Sequence, residues 1–178
     1  PISADDVVGA LTGARSGPVA EGSVGAGTGT STLGWKGGIG TSSRRVRVGD
    51  STWTVGVLVQ TNFGGSGDLL LMGVPVGRLL GRDGLTGAEA PKGPTGSVMI
   101  VVATDAPLSD RNLERLAARA TIGLGRTGAM AGNGSGDYVL SFSTNAAVRR
   151  AGSAPLRASA ELGNDAMNPL FAGVIEAT

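Results

Sequence analysis

The chain has 178 residues, enough for one domain with a substantial hydrophobic core. Glycine fills 32 positions, more than twice the roughly 7% usual in globular proteins, yet it follows no G-X-Y period and apolar residues still make up 40%, which excludes a collagen helix and argues against wholesale disorder. There is neither cysteine nor histidine, so disulfides, thiol catalysis, the Ser-His-Asp triad and nearly all zinc chemistry are excluded, and a hydrolytic site built from this sequence needs another general base.

Fifteen basic residues nearly balance 14 acidic ones, for a net charge of +1. Arg44, Arg45 and Arg47 form the one dense basic cluster and read as a solvated strand edge. With two tryptophans, one tyrosine and three phenylalanines there is little on which bases could stack, so no nucleic-acid partner is expected. No apolar stretch approaches the roughly 18 residues of a membrane span, so no membrane partner is expected either. The start at Pro1 suggests a processed, trimmed or partial chain, in which a targeting signal would be missing; the expected location is the cytoplasm.

In chain order, Ser3 followed by Ala4-Asp5-Asp6 and then Val7, Val8 and Leu11 predicts a capped helix with acids at its positive end, stopping near Gly13. Gly17 to Gly29 is turn-rich and continues through Trp35-Lys36-Gly37-Gly38-Ile39-Gly40. Arg45 to Val48 and Thr52 to Gln60 predict two strands joined at Gly49-Asp50, a hairpin dipeptide. Leu69 to Val76, nearly all apolar, predicts a strand buried on both faces. Asp83 to Thr95 reads as an exposed, mobile loop within the Gly- and Pro-dense segment from Arg78 to Gly96. Ser97 opens the most strand-like run, closed by Asp105-Ala106-Pro107. Ser109 then caps a helix carrying Leu113, Leu116, Ala117 and Ala120, which Gly125 stops. Gly132 to Asp137 is a loop leading into a strand from Tyr138 to Ser143, and the remainder is mixed and weakly patterned. This order predicts helices packed on an antiparallel or mixed sheet.

Two Gly-rich runs are candidates for ligand chemistry and both fall short. Gly25-Ala26-Gly27-Thr28-Gly29 lacks the preceding strand of a dinucleotide fingerprint and the Gly-Lys-Ser/Thr of a P-loop, so it reads as a structural turn. Asn133, Ser135 and Asp137 alternate as in a calcium loop but lack its bidentate acid. No cofactor and no metal are expected. Gly96-Ser97 is different because of its position: a loop delivers a hydroxyl to the first residue of a buried strand. A cut before Ser97 would give that serine its own base, since an α-amino group titrates near 7.7–8.0 and a terminal amine is a known substitute for histidine beside a nucleophile. The bland alternative is a loop serine at a strand start.

Five stretches in order resemble one family. They are Glu21-Gly-Ser-Val-Gly-Ala-Gly-Thr-Gly29, Trp35-Lys-Gly-Gly-Ile-Gly-Thr-Ser-Ser-Arg44, Val55-Gly-Val-Leu-Val-Gln-Thr-Asn-Phe-Gly64, Gly96-Ser-Val-Met-Ile-Val-Val-Ala-Thr-Asp-Ala-Pro-Leu108 and Gly132-Asn-Gly-Ser-Gly-Asp137. The sequence is similar to the DmpA-type β-peptidyl aminopeptidases and L-aminopeptidase/D-esterases, relatives of the nylon-oligomer hydrolases. The resemblance implies an α+β fold, the αββα sandwich of N-terminal-nucleophile-type hydrolases, over a single domain 1–178 that divides by self-cleavage into parts 1–96 and 97–178. It implies Ser97 as nucleophile, cleavage between Gly96 and Ser97, Ser135 and Asp137 as the pair that orients and polarises it, Asn62 as oxyanion donor, and Lys36 as a site lysine. The implied activity is release of N-terminal residues from short peptides, amides or esters, by a homo-oligomer of cleaved protomers. The family also has a region ahead of the equivalent of Pro1, with a tyrosine that assists the oxyanion site. Nothing here matches it, so a separate N-terminal fragment is a candidate partner. The alternatives are an amide-oligomer hydrolase or an acyltransferase on the same fold, the latter disfavoured because a threonine nucleophile would be expected, or a non-catalytic Gly-rich β domain.

Overall fold

The computed structural model describes residues 2–80, 96–150, 152 and 159–178; the loop expected over 83–95 lies outside them. Helix α1 spans Ala4–Gly13 and has the cap its sequence predicts: Ser3 N–H donates to the Asp6 carboxylate at 2.8 Å and Asp6 N–H returns to Ser3 Oγ at 3.3 Å. None of its residues is buried. Two short strands follow as a hairpin, β1 (Ser31–Thr32) and β2 (Trp35–Lys36), with Ser31 opposite Lys36.

The main sheet has four strands: β3 (Ile39–Val48), β4 (Ser51–Asn62), β5 (Ser97–Thr104) and β6 (Gly136–Ser143), in the order β3-β4-β5-β6. The first three are mutually antiparallel and β6 runs parallel to β5, so the sheet is mixed. The β3–β4 turn falls at Gly49-Asp50, where Gly49 takes φ +58°, a left-handed value that suits glycine. β3 starts at Ile39, earlier than the apolar pattern from Arg45 indicates. Its first residues, Gly40 to Ser43, owe their extended form to pairing with Val59, Leu58, Val57 and Gly56 of β4 rather than to their own propensity.

One face of the sheet is covered by helices. Helix α3 (Asp110–Gly125) buries Leu116, Ala120 and Leu124, and helix α4 (Met167–Ala177) buries Met167, Leu170, Phe171, Val174 and Ala177. They pack over a sheet face formed by Val55, Val57, Val98, Ile100 and Val102, all buried. The helices approach closely because Gly123 has no side chain; a Cβ there would lie 2.7 Å from Thr178 Cβ and 2.8 Å from Ile175 O. Arg119 sits 4.1 Å over the Phe171 ring, sealing the seam with its stem and charge. On the other sheet face, Met99, Tyr138, Leu140 and Phe142 are exposed, so among the described residues the four-stranded sheet carries helices on one face.

Two expectations need correction. Leu69–Val76 is not a buried strand. The run doubles back at Met72-Gly73, where φ is +51° and +81°, and Leu71 and Val74 exchange both backbone hydrogen bonds at 3.0 Å. Leu71, Met72 and Val74 are exposed, and Val76 begins a short helix, α2 (Val76–Leu80). Positive φ at two consecutive residues makes a tight turn whatever the hydropathy. The weakly patterned C-terminal region holds α4, whose buried Met167, Leu170, Phe171 and Val174 do follow helical spacing; Pro169 masks it, although proline is tolerated in a first turn.

Leu170 is fully buried at the junction of α4 with the sheet. Leu170→Ala is expected to lower stability by about 2–5 kcal/mol, the range for cavity-forming core truncations, read as a shift in the urea unfolding midpoint.

Candidate active site

The start of β5 is where the sequence motifs meet. Ser97 is flanked on one side by Asn62, its antiparallel partner in β4, and on the other by Gly136, its parallel partner in β6. Residues directly opposite across a ladder put their side chains on the same face, so the Ser97 hydroxyl and the Asn62 amide stand side by side. That face is the one without helices. Ser97 Oγ accepts a hydrogen bond from Gly136 N–H at 3.1 Å, which fixes the oxygen and leaves its own proton to donate elsewhere.

Ser135 and Asp137 are brought to the same junction. Ser135 Oγ lies 2.8 Å from Asp137 Oδ1 and 3.0 Å from the carbonyl oxygen of Gly96. A hydroxyl has one proton, so Ser135 donates to the carboxylate or to the Gly96 carbonyl, not to both. The alternation of Ser135 and Asp137 along an extended segment gives them this common direction, and the intervening Gly136 lets the chain approach Ser97; a Cβ there would lie 3.2 Å from Ser97 Oγ.

Gly96 itself is held in a conformation other residues avoid. Its φ is +134°, and a Cβ would come 2.1 Å from Asn62 O. The Gly96–Ser97 peptide is therefore pressed against the end of β4, with its carbonyl turned to Ser135.

Asn62 is exposed, and its Oδ1 accepts from Ser31 N–H of β1 at 3.3 Å. Its Nδ2 makes no hydrogen bond among the described residues and faces the side of the sheet that Ser97 occupies. The Lys36 ammonium donates to Gly27 O at 3.0 Å and to Thr30 O at 2.8 Å. The structure thus unites Gly96, Ser97, Ser135, Asp137 and Asn62, and stations Lys36 one hairpin away. Tyr138, the sole tyrosine, borders the cluster on the same face, with Cε2 3.5 Å from the position of a Gly136 Cβ.

Sequence reading missed two participants, the backbone N–H groups of Gly136 and Ser31. Neither has a side-chain signature. Both become visible only when strand register is known. Among the described residues no group of three or more metal-ligating side chains is assembled, and no helix is long and apolar enough to cross a membrane.

A serine hydroxyl, a second hydroxyl on a carboxylate and an amide side chain opposite that serine are groups of the kind that nucleophilic acyl transfer uses. The chain superposes with TM-score 0.83 and 38% identity on the L-aminopeptidase D-Ala-esterase/amidase of Ochrobactrum anthropi, described as a prototype of the serine aminopeptidases with a variant of the Ntn hydrolase fold, over 99% of this chain and 47% of that one. A β-aminopeptidase of a Burkholderia species matches with TM-score 0.80 and 40% identity over 99% of this chain and 49% of that one. The fold is therefore that α+β Ntn-hydrolase variant. The chain belongs to peptidase family S58, whose family model matches residues 1–178. The β-peptidyl aminopeptidase BapA of Sphingosinicella xenopeptidilytica is 45% identical to it over 186 aligned residues, covering 99% of this chain and 46% of that protein. The chain spans about half the length of the curated relatives it matches.

Glu21 is tied to β3: its carboxylate accepts from both the hydroxyl and the backbone N–H of Thr41, the latter at 2.8 Å. The Thr41 hydroxyl and then its N–H hold this carboxyl below its ordinary value of 4.5. A depressed carboxyl stabilises the fold above its unfolded value, and that contribution is lost as pH falls through the lower folded value. In Thr41→Val the Glu21 value is expected to rise toward 4.5, measured by the carbon chemical shift of the carboxyl across an acid titration. An unchanged titration would refute the assignment.

Proposed function

We propose that the protein is a self-cleaving serine aminopeptidase that releases the N-terminal residue from short peptides, amino-acid amides or esters. The observation that carries this reading is the meeting of the Ser97 hydroxyl and of Ser135 with Asp137 at the Gly96–Ser97 peptide bond, with Asn62 opposite Ser97 across the ladder. The peptidase family and the aminopeptidase and esterase/amidase names of the relatives support it from a second direction.

The chemistry uses one oxygen twice. In maturation, Ser97 Oγ attacks the Gly96 carbonyl carbon, the Gly96–Ser97 C–N bond breaks, the nitrogen takes the serine proton, and water hydrolyses the resulting ester. This divides the chain into parts 1–96 and 97–178. Ser135 Oγ, 3.0 Å from the Gly96 carbonyl oxygen, is placed to donate to it as charge develops there. In turnover the freed amine of Ser97, a group of pKa near 7.7–8.0, accepts the hydroxyl proton while Oγ attacks the substrate carbonyl. The amine then protonates the leaving group, and water releases the acyl group. Asn62 Nδ2 donates to the oxyanion, a contact whose loss typically costs about 3–4 kcal/mol of barrier. Asp137 holds the Ser135 hydroxyl beside the Gly96 carbonyl.

The substrate's free amino end, the homo-oligomer and the cytoplasmic location belong to the same reading. The exposed apolar residues Met99, Leu140 and Phe142 on the helix-free sheet face support a covered sheet face in the working protein, as a sandwich or an assembly would supply.

Ser97→Ala is expected to give an intact 178-residue chain by mass spectrometry, with no hydrolysis of an aminoacyl p-nitroanilide. Division of that variant after Gly96, or retained hydrolysis, would overturn the proposal. Gly96→Ala puts a Cβ 2.1 Å from Asn62 O and should slow fragment formation by about 10–100-fold, since misplacement of a reacting group by about an ångström costs that much.

A further inference from the structure

The Gly25–Gly29 run reads from sequence as a structural turn, and Lys36 as a site lysine by resemblance alone. The structure joins the two. Gly25–Gly29 forms a single 3-10 turn with Gly27 buried, so tightly packed that a Gly27 Cβ would lie 2.8 Å from both Gly22 O and Gly38 Cα. Its carbonyl end is collected by one cation. Lys36 Nζ donates to Gly27 O and Thr30 O, a favourable place for positive charge at a helical C-terminus. The same Thr30 carbonyl accepts Gly37 N–H at 3.0 Å, and Thr30 Oγ1 donates to Gly27 O at 3.0 Å.

The residue after Thr30 is Ser31, paired with Lys36 across β1–β2, and its N–H is the donor to Asn62 Oδ1. The hairpin is also pinned on either side of Asn62: Leu33 N–H donates to Phe63 O at 2.7 Å, and Thr61 N–H to Gly38 O at 2.9 Å. An amide side chain whose oxygen is engaged by an N–H cannot turn over without facing donor to donor. Free of that bond, Asn62 could present its oxygen to the reacting carbonyl in place of its NH2.

We propose that Lys36 is a positioning residue: by clamping the Gly25–Gly29 turn it holds the Ser31 amide on Asn62 Oδ1, and so aims the Asn62 Nδ2 donor at the carbonyl that Ser97 attacks. The inference rests on the oxyanion role given to Asn62 above. It makes the Gly-rich turn part of the catalytic apparatus without any contact to substrate.

A double-mutant cycle with an aminoacyl p-nitroanilide tests it. Lys36→Met should lower kcat about tenfold and leave KM within about twofold, a fraction of the roughly 10²–10³ that removal of an oxyanion donor costs. Lys36→Arg, which keeps the charge and the donors, should restore most of the rate. Asn62→Ala should cost the full amount, and adding Lys36→Met to it should cost less than about twofold more, because residues that act through one another are non-additive. An equal tenfold loss in both backgrounds would overturn the inference while leaving the serine-peptidase reading intact, as would a Lys36→Met enzyme of full activity. An Asn62→Ala enzyme as active as the wild type would remove both. Should Lys36→Met remain uncleaved, its crystal structure decides: Ser31 N still within hydrogen-bond distance of Asn62 Oδ1 refutes the clamp, and a turned or displaced Asn62 amide upholds it.

Discussion

The site depends on the register of β5 between its two neighbours. Ser97 is opposite Asn62 on one side and Gly136 on the other, and these pairings bring the Ser97 hydroxyl, Asn62 and the segment that carries Ser135 and Asp137 to the start of β5. A slip of one residue would exchange the two faces of the strand. Ser97 would then point toward the helices, and Val98, now fully buried, would take its place. Register is fixed by burial: Val98, Ile100 and Val102 have essentially no exposure, and each would be forced out by the slip. At roughly 1.5–3 kcal/mol for each large side chain kept from water, the core that holds the helices to the sheet also holds the start of β5 in place between its neighbours.

This role of burial explains what could be read from the sequence. The strand from Ser97 was legible because six consecutive apolar residues, Val98 to Ala103, have no other stable home. The β3–β4 hairpin was legible from Gly49-Asp50, and α3 from its spacing of Leu113, Leu116 and Ala120. The Leu69–Val76 run misled because hydropathy records what a segment would like to bury, whereas Met72-Gly73 records a backbone reversal, and the two conflict there. Helix α4 has the right period, but Pro169 reads as a breaker unless it is placed in the first turn. Within the site, Ser135 and Asp137 came into view only through the resemblance of residues 132–137 to a family motif; their alternation by itself suggested a calcium loop that lacks its bidentate acid. Backbone donors stayed out of view. Gly136 N–H and Ser31 N–H are defined by pairing partners 39 and 31 residues away, and nothing local encodes that.

Glycine's excess has a comparable explanation at the site. At Gly96 and Gly136 the missing Cβ is what allows three backbones to converge, since a side chain would strike Asn62 O in one case and crowd Ser97 Oγ in the other. Elsewhere glycine shapes the approach to the site indirectly, as in the 3-10 turn under Lys36, where the buried Gly27 lets the turn sit against Gly22 and Gly38. At Gly27, Gly38, Gly96 and Gly136 a composition that looks permissive thus yields close packing, because the omitted side chain is replaced there by a neighbouring atom rather than by space.

The single proton of Ser135 gives the site an internal order of events on the proposed reading. In the uncut chain it has two acceptors, the Asp137 carboxylate at 2.8 Å and the Gly96 carbonyl at 3.0 Å. An ionised carboxylate is the stronger acceptor in the resting state, and the balance shifts toward the carbonyl only as negative charge grows on that oxygen. Stabilisation is then greatest at the transition state of the chain's own cleavage and small in its ground state, the condition for acceleration rather than mere binding. Once the bond is broken and Gly96 withdraws, its carbonyl no longer competes, and the hydroxyl is left between Asp137 and the new amine of Ser97. The arrangement that performs the cut is in this way converted by the cut into the one that accepts substrate, with no side chain required to move from its strand.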